Sequence, residues 1–257
     1  MRTLILMLPL CFPALPRAAT HADIDSGLVA HWTFDETAGA LAADATPTAA
    51  DAHFSGDYAW TEGPQAGAIE LGPNGGGATL DMPSAFDITT FSIACWFRCE
   101  NADSFRVITS RNTQWQDRQW WVTVWQEGYS GNPSGALVFR MSPVSGTYVN
   151  LSSTERVDDN QWHSAIVTVD SDLGEARLYL DGQLVDSAAG FTAPKLPSAD
   201  AVISGDESNG GREFLGAIDD LRIYDRVLTE EEREALSTES RRTRVVQWRE
   251  IGTDEDR

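Results

Sequence analysis

Short runs rich in β-branched and aromatic residues, broken by clusters of Gly, Asp, Asn and Pro, extend along almost the whole chain. Strand-like runs at intervals of about 8–12 residues, with turn residues between them, are the pattern of an all-β sandwich or barrel. The runs fall at 28–34, 68–71, 78–82, 91–98, 105–110, 120–126, 136–141, 147–152, 162–170, 176–180, 183–185, 201–204 and 214–224. The sharpest local signal is Asp181-Gly182, set between Leu178-Tyr179-Leu180 and Gln183-Leu184-Val185. Asp-Gly supplies the two positive φ angles that a tight hairpin turn requires. Residues 35–66, rich in Ala, Asp, Thr and Gly, read as a long loop, and 72–77 as a Gly-rich turn. A further loop with two Pro is expected at 186–200.

The two ends break the pattern. Met1-Arg2 precedes a largely apolar run, Thr3 to Leu15, which is too short to span a bilayer but suits the core of a signal peptide. Thr20-His21-Ala22 offers small–x–small cleavage after Ala22, so residues 1–22 read as a leader and the mature protein as secreted, extracellular or periplasmic. Near the other end, Thr229-Glu230-Glu231-Glu232 is a capping box, which predicts a short helix through Leu236. One domain over 23–237 follows, with 238–257 as a tail.

The net charge of −20 would repel phosphate backbones, which excludes nucleic acid as a natural partner. It suits an exported protein and leaves oxygen ligands for divalent cations. Cys11 falls within the leader. Cys95 and Cys99, on one continuous strand, would share a face roughly 13 Å apart. A disulfide needs Cα atoms within about 7 Å, so two free thiols are expected.

Four blocks carry a resemblance to a known family. Gly27-Leu28-Val29-Ala30-His31-Trp32-Thr33-Phe34-Asp35-Glu36 resembles the opening strand of laminin-G-like jelly-roll domains. Phe91-Ser92-Ile93-Ala94-Cys95-Trp96-Phe97 is similar to a central strand of that family. Gln161-Trp162-His163-Ser164-Ala165-Ile166-Val167, followed by Leu178-Tyr179-Leu180-Asp181-Gly182, resembles its Trp-His strand and hairpin. The segment from Gly216 to Thr229, with Asp219-Asp220-Leu221-Arg222-Ile223-Tyr224, resembles the closing strand and the turn into the final helix. The resemblance implies the concanavalin A-like lectin and glucanase superfamily. It also implies a two-sheet antiparallel jelly-roll sandwich in which the first and last strands are neighbours.

Folds do not fix functions, so sites must be read separately. Glycosidases need two carboxylates flanking the scissile bond. The Glu-x-Asp-x-x-Glu or Glu-x-Asp-x-Glu strand of the superfamily's glucanases is missing, and Asp219 and Asp220 point to opposite faces of a strand. The expectation is a non-catalytic module. Calcium accepts carboxylates mixed with carbonyls, and with first and last strands adjacent, Asp35, Glu36 and Asp44 would approach Asp219; the metal set is Asp35, Asp44 and Asp219. The alternative is that these aspartates bond to backbone amides. For ligand contact the candidates are Trp115, Trp120, Trp121 and Trp125, in a segment that also carries Gln, Asp and Arg. Alternation puts Trp121 and Trp125 on one face and Trp120 on the other. One set would serve the core and the other would lie open to a sugar. The leading expectation is a secreted or surface module binding glycans or glycosylated partners. The alternatives are an adhesion domain contacting extracellular or cell-surface proteins and, less favoured, a glycoside hydrolase-like enzyme.

Overall fold

The computed structural model describes residues 24–80, 83–100, 103–114, 116–126, 131–205 and 212–238. The expected leader (1–22), Trp115 and the tail beyond Thr238 lie outside the described residues. Within them the chain is all-β and antiparallel, with one α-helix, α1 (Glu230–Thr238), and a 3-10 turn at Pro83–Phe86.

The strands are β1 (Leu28–Trp32), β2 (Leu41–Ala42), β3 (Ala52–Glu62), β4 (Gly67–Leu80), β5 (Phe91–Glu100), β6 (Arg106–Arg111) and β7 (Trp120–Val124). They continue as β8 (Ala136–Met141), β9 (Val149–Arg156), β10 (Asp159–Asp170), β11 (Glu175–Leu180), β12 (Gln183–Ala189), β13 (Ala201–Ile203) and β14 (Gly216–Tyr224). Hydrogen bonds run in the order β12-β11-β10-β5-β14-β4-β13-β6-β7-β8-β9. The path curls back on itself, and the Ser152 amide on β9 donates to Asp186 on β12 at 2.9 Å. A nearly closed, curved sheet therefore wraps one large apolar interior.

β14 organises the centre. One edge pairs with β5 along its length; the other pairs first with β4 (Gly216–Ile218) and then with β1 (Leu221–Tyr224). The first and last strands are thus neighbours. A bulge at Asp219-Asp220, with Asp220 at φ 51°, separates the two halves. The extra residue lets Ile218 and Leu221, three apart, both enter the interior. On β5 the alternation is regular: Phe91, Ile93, Cys95, Phe97 and Cys99 face the main core, while Ala94 faces a second cluster under α1. Both thiols are free and buried; burial pushes each up to about 12, so neither is reactive near neutrality.

The hairpin and the helix form as their local chemistry dictates. Asp181 and Gly182 have φ of 49° and 77° and join β11 to β12. Thr229 and Glu232 cap reciprocally: the Thr229 amide donates to Glu232 Oε2 at 2.8 Å and the Glu232 amide to Thr229 Oγ1 at 3.3 Å. Three expectations are overturned. The loop at 35–66 contains β2 and the eleven-residue β3. The Gly-rich turn at 72–77 is the middle of one fourteen-residue strand, β4, paired with β3. The loop at 186–200 begins later, because β12 runs on to Ala189.

Candidate functional site

β7 is buried on both faces. Trp120, Val122 and Val124 enter the main core, where Trp120 packs edge-on against Phe86 at 5.9 Å. Trp121 and Trp125 point the other way, into a separate cluster with Phe105, Val107, Ala136 and Val138 on the outer face. The expectation that one set of indoles lies open is corrected here: Trp120, Trp121 and Trp125 are at most 1% exposed. What covers the outer pair is cationic. The Arg118 guanidinium lies over Trp121 at 4.6 Å and that of Arg140 over Trp125 at 4.0 Å. Arg212 lies over Phe105 at 5.1 Å.

The register explains the roof. Across the sheet, Trp121 faces Arg140 on β8, and Arg140 faces Asn150 on β9. All three therefore project from one face. Asn150 Oδ1 accepts from Arg140 Nε at 2.7 Å, and Asn150 exchanges amide bonds with Asn132. Arg118 donates to the Tyr148 hydroxyl at 3.1 Å. Beyond Tyr148 a cleft of about 300 Å³ opens, walled by Gln116, Ser142, Val144, Tyr148 and Lys195. Lys195 donates to the Gln116 carbonyl at 3.0 Å. The indole Nε1 of Trp121, buried under this layer, has no hydrogen-bond partner.

The expected metal set divides. Asp44 bonds to backbone and is not a ligand: its carboxylate accepts from the amides of His31, Thr46 and Ala50 and from the Thr46 hydroxyl, at 2.9–3.0 Å. That turn chemistry leaves it no oxygen for a cation. Asp35 and Asp219 do converge, on the loop between β3 and β4. Asp35 accepts from the Gly67 amide and Asp219 Oδ2 from the Gln65 amide, both at 2.8 Å. Asp219 is fully buried, and its other oxygen, Oδ1, has no partner. Burial, aided by the charges of Asp220 and Asp35, pushes its pKa up to about 8. Glu36 Oε1 accepts from the Ala43 amide at 2.9 Å instead. No set of three or more His, Cys, Asp or Glu among the described residues could hold a metal alone. Calcium also takes carbonyls and water, so a pair of carboxylates with an orphaned oxygen is compatible with it.

Asp220 serves a different partner set. Burial opposes its ionisation, but the 2.6 Å bond with His31 and the charge of Arg222 outweigh burial and hold the carboxyl below its usual range. Adjacent in sequence, Asp219 and Asp220 thus face different surroundings.

Residues 72–232, more than half of the chain, match the family model described as the concanavalin A-like lectin/glucanases superfamily, laminin G type. The chain belongs to that superfamily. Among solved structures, this laminin-G-type chain is similar to domain 4 of AbnA, a GH43 extracellular arabinanase from Geobacillus stearothermophilus, in complex with arabinotriose. That likeness has 20% identity and a TM-score of 0.65, over 82% of this chain and 98% of that one. The binding domain of Paraclostridial Mosquitocidal Protein 1 matches at 16% identity and TM-score 0.63, over 83% of this chain and 52% of that one. At such identities both likenesses speak to the fold alone. A stretch of 117 residues is 31% identical to the rat "Sushi, von Willebrand factor type A, EGF and pentraxin domain-containing protein 1". That match takes in 39% of this chain and spans only 3% of the relative's length. No helix among the described residues is long and apolar enough to cross a membrane.

Sequence reasoning located the β7 indoles but missed Arg140, Asn150 and Tyr148, which join them only through the pairing of β7 with β8 and β9. Alternation within β8 was the available signal, since it sets Arg140 on the face opposite Phe139.

Proposed function

We propose that this laminin-G-type chain is a secreted or surface, non-catalytic recognition module that binds carbohydrate, built as a two-sheet jelly roll. The observation that carries this reading is the outer face of β7, β8 and β9. There Arg118, Arg140, Asn150 and Tyr148 form a polar layer over buried aromatics, continuous with the cleft beside Lys195. Saccharides are recognised by such convergent donors and acceptors beside a concavity. The arabinotriose complex of the structurally similar AbnA domain supports the choice of ligand class. Leader cleavage after Ala22 and a structural calcium at Asp35 and Asp219 belong to the same reading. When bound, calcium would tie the exposed Asp35 and the buried Asp219 together and supply no chemistry.

The test is a broad glycan array together with arabinan pull-down, using wild type and Tyr148→Ala. Binding that weakens about tenfold in the variant, the usual cost of a lost hydrogen-bonding contact in a ligand site, supports the reading. Silence of the wild type across the array overturns it. Protein contact is the second reading, favoured by the match to one small stretch of a much longer multidomain relative. Capture of an extracellular protein partner by a chain silent on glycans would select it.

A further inference from the structure

The ligand class can be narrowed, and the narrowing rests on the carbohydrate reading above. The cleft beside Tyr148 has a wall that is fixed in advance. Segment 142–146 is bonded to 191–195: the amides of Val144, Thr192 and Lys195 donate to the carbonyls of Ala193, Ser145 and Ser142 at 2.8–3.0 Å. A wall held this way loses little freedom when a ligand arrives. Its side chains are of two kinds. Val144, 65% exposed, is aliphatic, and Pro143 stands next to it. The others donate. Lys195 is exposed and spends one of its three N–H protons on the Gln116 carbonyl at 3.0 Å. The Tyr148 oxygen accepts from Arg118 at 3.1 Å, so the phenol keeps its own proton for a ligand. Ser142, the most buried residue of the lining at 4% exposed, has a hydroxyl with no partner among the described residues.

Three classes of sugar make different demands on such a cleft. A plain polyol is commonly held against open aromatic faces, and the nearby indoles are at most 1% exposed. An acidic polymer would meet one ammonium on a chain of net charge −20 and be repelled by the rest of the surface. An N-acetylated amino sugar carries a methyl, a carbonyl oxygen and an N–H on one small planar group. The methyl needs an aliphatic wall, which Val144 supplies. The carbonyl needs a donor, which Lys195 supplies. The N–H needs an acceptor, and the Ser142 hydroxyl has its lone pairs unspent. Tyr148 is left to donate to a ring hydroxyl. We propose that the cleft between Tyr148 and Lys195 seats the acetamido group of an N-acetylated amino sugar, with its methyl against Val144 and its carbonyl oxygen on Lys195.

The test uses the full chain in calorimetric titrations at fixed salt against four trisaccharides: tri-N-acetylchitotriose, cellotriose, the de-N-acetylated chitosan trimer and arabinotriose. The first two share ring type and linkage and differ only in bearing an acetamido group or a hydroxyl. The expected result is binding of the acetylated trimer at least about tenfold tighter than that of cellotriose, the scale of one lost hydrogen-bonding contact. Val144→Ser should remove most of that gap, and Lys195→Met should weaken the acetylated trimer by a similar factor. Both positions are exposed, so both variants should melt as the wild type does; if one melts early, the other gives the reading. Equal affinity for cellotriose or arabinotriose overturns the acetamido assignment while leaving carbohydrate binding intact. Tighter binding of the de-N-acetylated trimer, a polycation, overturns it in favour of attraction by the acidic surface. A gap undiminished in both variants overturns the assignment to this cleft. No binding to any of the four overturns this inference, and silence across the glycan array overturns with it the reading on which it rests.

Discussion

His163, at the start of β10, sits between two carboxylates: Nδ1 lies 2.8 Å from Asp181 and Nε2 lies 3.2 Å from Asp159. Asp181 also accepts from the Ser164 amide at 2.8 Å, so one side chain ties the β11–β12 turn to β10. The bond with Asp181 is the strongest influence and raises the imidazole pKa against the opposing effect of burial. A raised folded pKa means the stabilisation is fully present below the unfolded value of about 6.5 and is lost as pH rises through the folded one. Urea midpoints should therefore fall as pH goes from 5.5 to 8.5 in the wild type, and less so in His163→Gln. Parallel pH slopes in the two proteins would assign the dependence elsewhere. At this scale legibility ends where a neighbour comes from another strand. Alternation separated Trp120 from Trp121 and Trp125, but the guanidiniums that roof the outer pair depend on pairing between strands. Asp44 was misplaced for a related reason: its backbone partners His31, Thr46 and Ala50 are gathered by a turn that its own type does not announce.

Elements that form from their own few residues were the ones most legible: the Asp181-Gly182 hairpin and the Thr229–Glu232 cap. β3 and β4 show the opposite case. Only Ala52 and Phe54 of β3 are buried, so it lacks an apolar stripe, and the middle of β4 is glycine. The glycines are there because two backbones meet at the irregularity near Gly56. A Cβ on Gly56 would lie 1.9 Å from the Gly75 carbonyl oxygen, and one on Gly76 would lie 2.1 Å from that of Asp57. Gly76 has an ordinary φ, so the cost of a side chain there is contact with a backbone that cannot step aside. Gly76→Ala should lower unfolding free energy by about 1–3 kcal/mol, the range for overpacked sites. Gly190→Ala, at φ 84° with nothing within 4 Å, should cost about 1–2 kcal/mol, through its left-handed backbone alone. A Gly76→Ala urea midpoint equal to the wild type would mean that β3 and β4 are not held this close.

For the molecule as a whole, the question is what joins the first strand to the last. β1 and β14 are paired, and just past them Asp35 and Asp219 reach the same loop, where Gly63 is so close that a Cβ would lie 2.5 Å from Asp219 Oδ2. Asp219, fully buried with an orphaned oxygen and its pKa pushed up to about 8 by burial, holds its proton near neutrality beside Asp35 at the seam that closes the sheet. A calcium ion there would displace that proton, satisfy the orphaned oxygen and bind the first strand's end, the β3–β4 loop and the last strand together. Because the unfolded chain holds no such site, calcium should raise the melting temperature by an amount set by its concentration relative to Kd. At 100 times Kd the gain is about 2.7 kcal/mol. Sodium at equal ionic strength screens the acidic surface without filling the site and should give a smaller rise. Asp219→Ala should abolish only the calcium-specific part, whereas Asp44→Ala should lower stability equally in calcium and in chelator, since Asp44 holds backbone amides. If wild type melts at the same temperature in chelator and in millimolar calcium, the seam closes without metal, and Asp35 and Asp219 act through Gly67 and Gln65 alone.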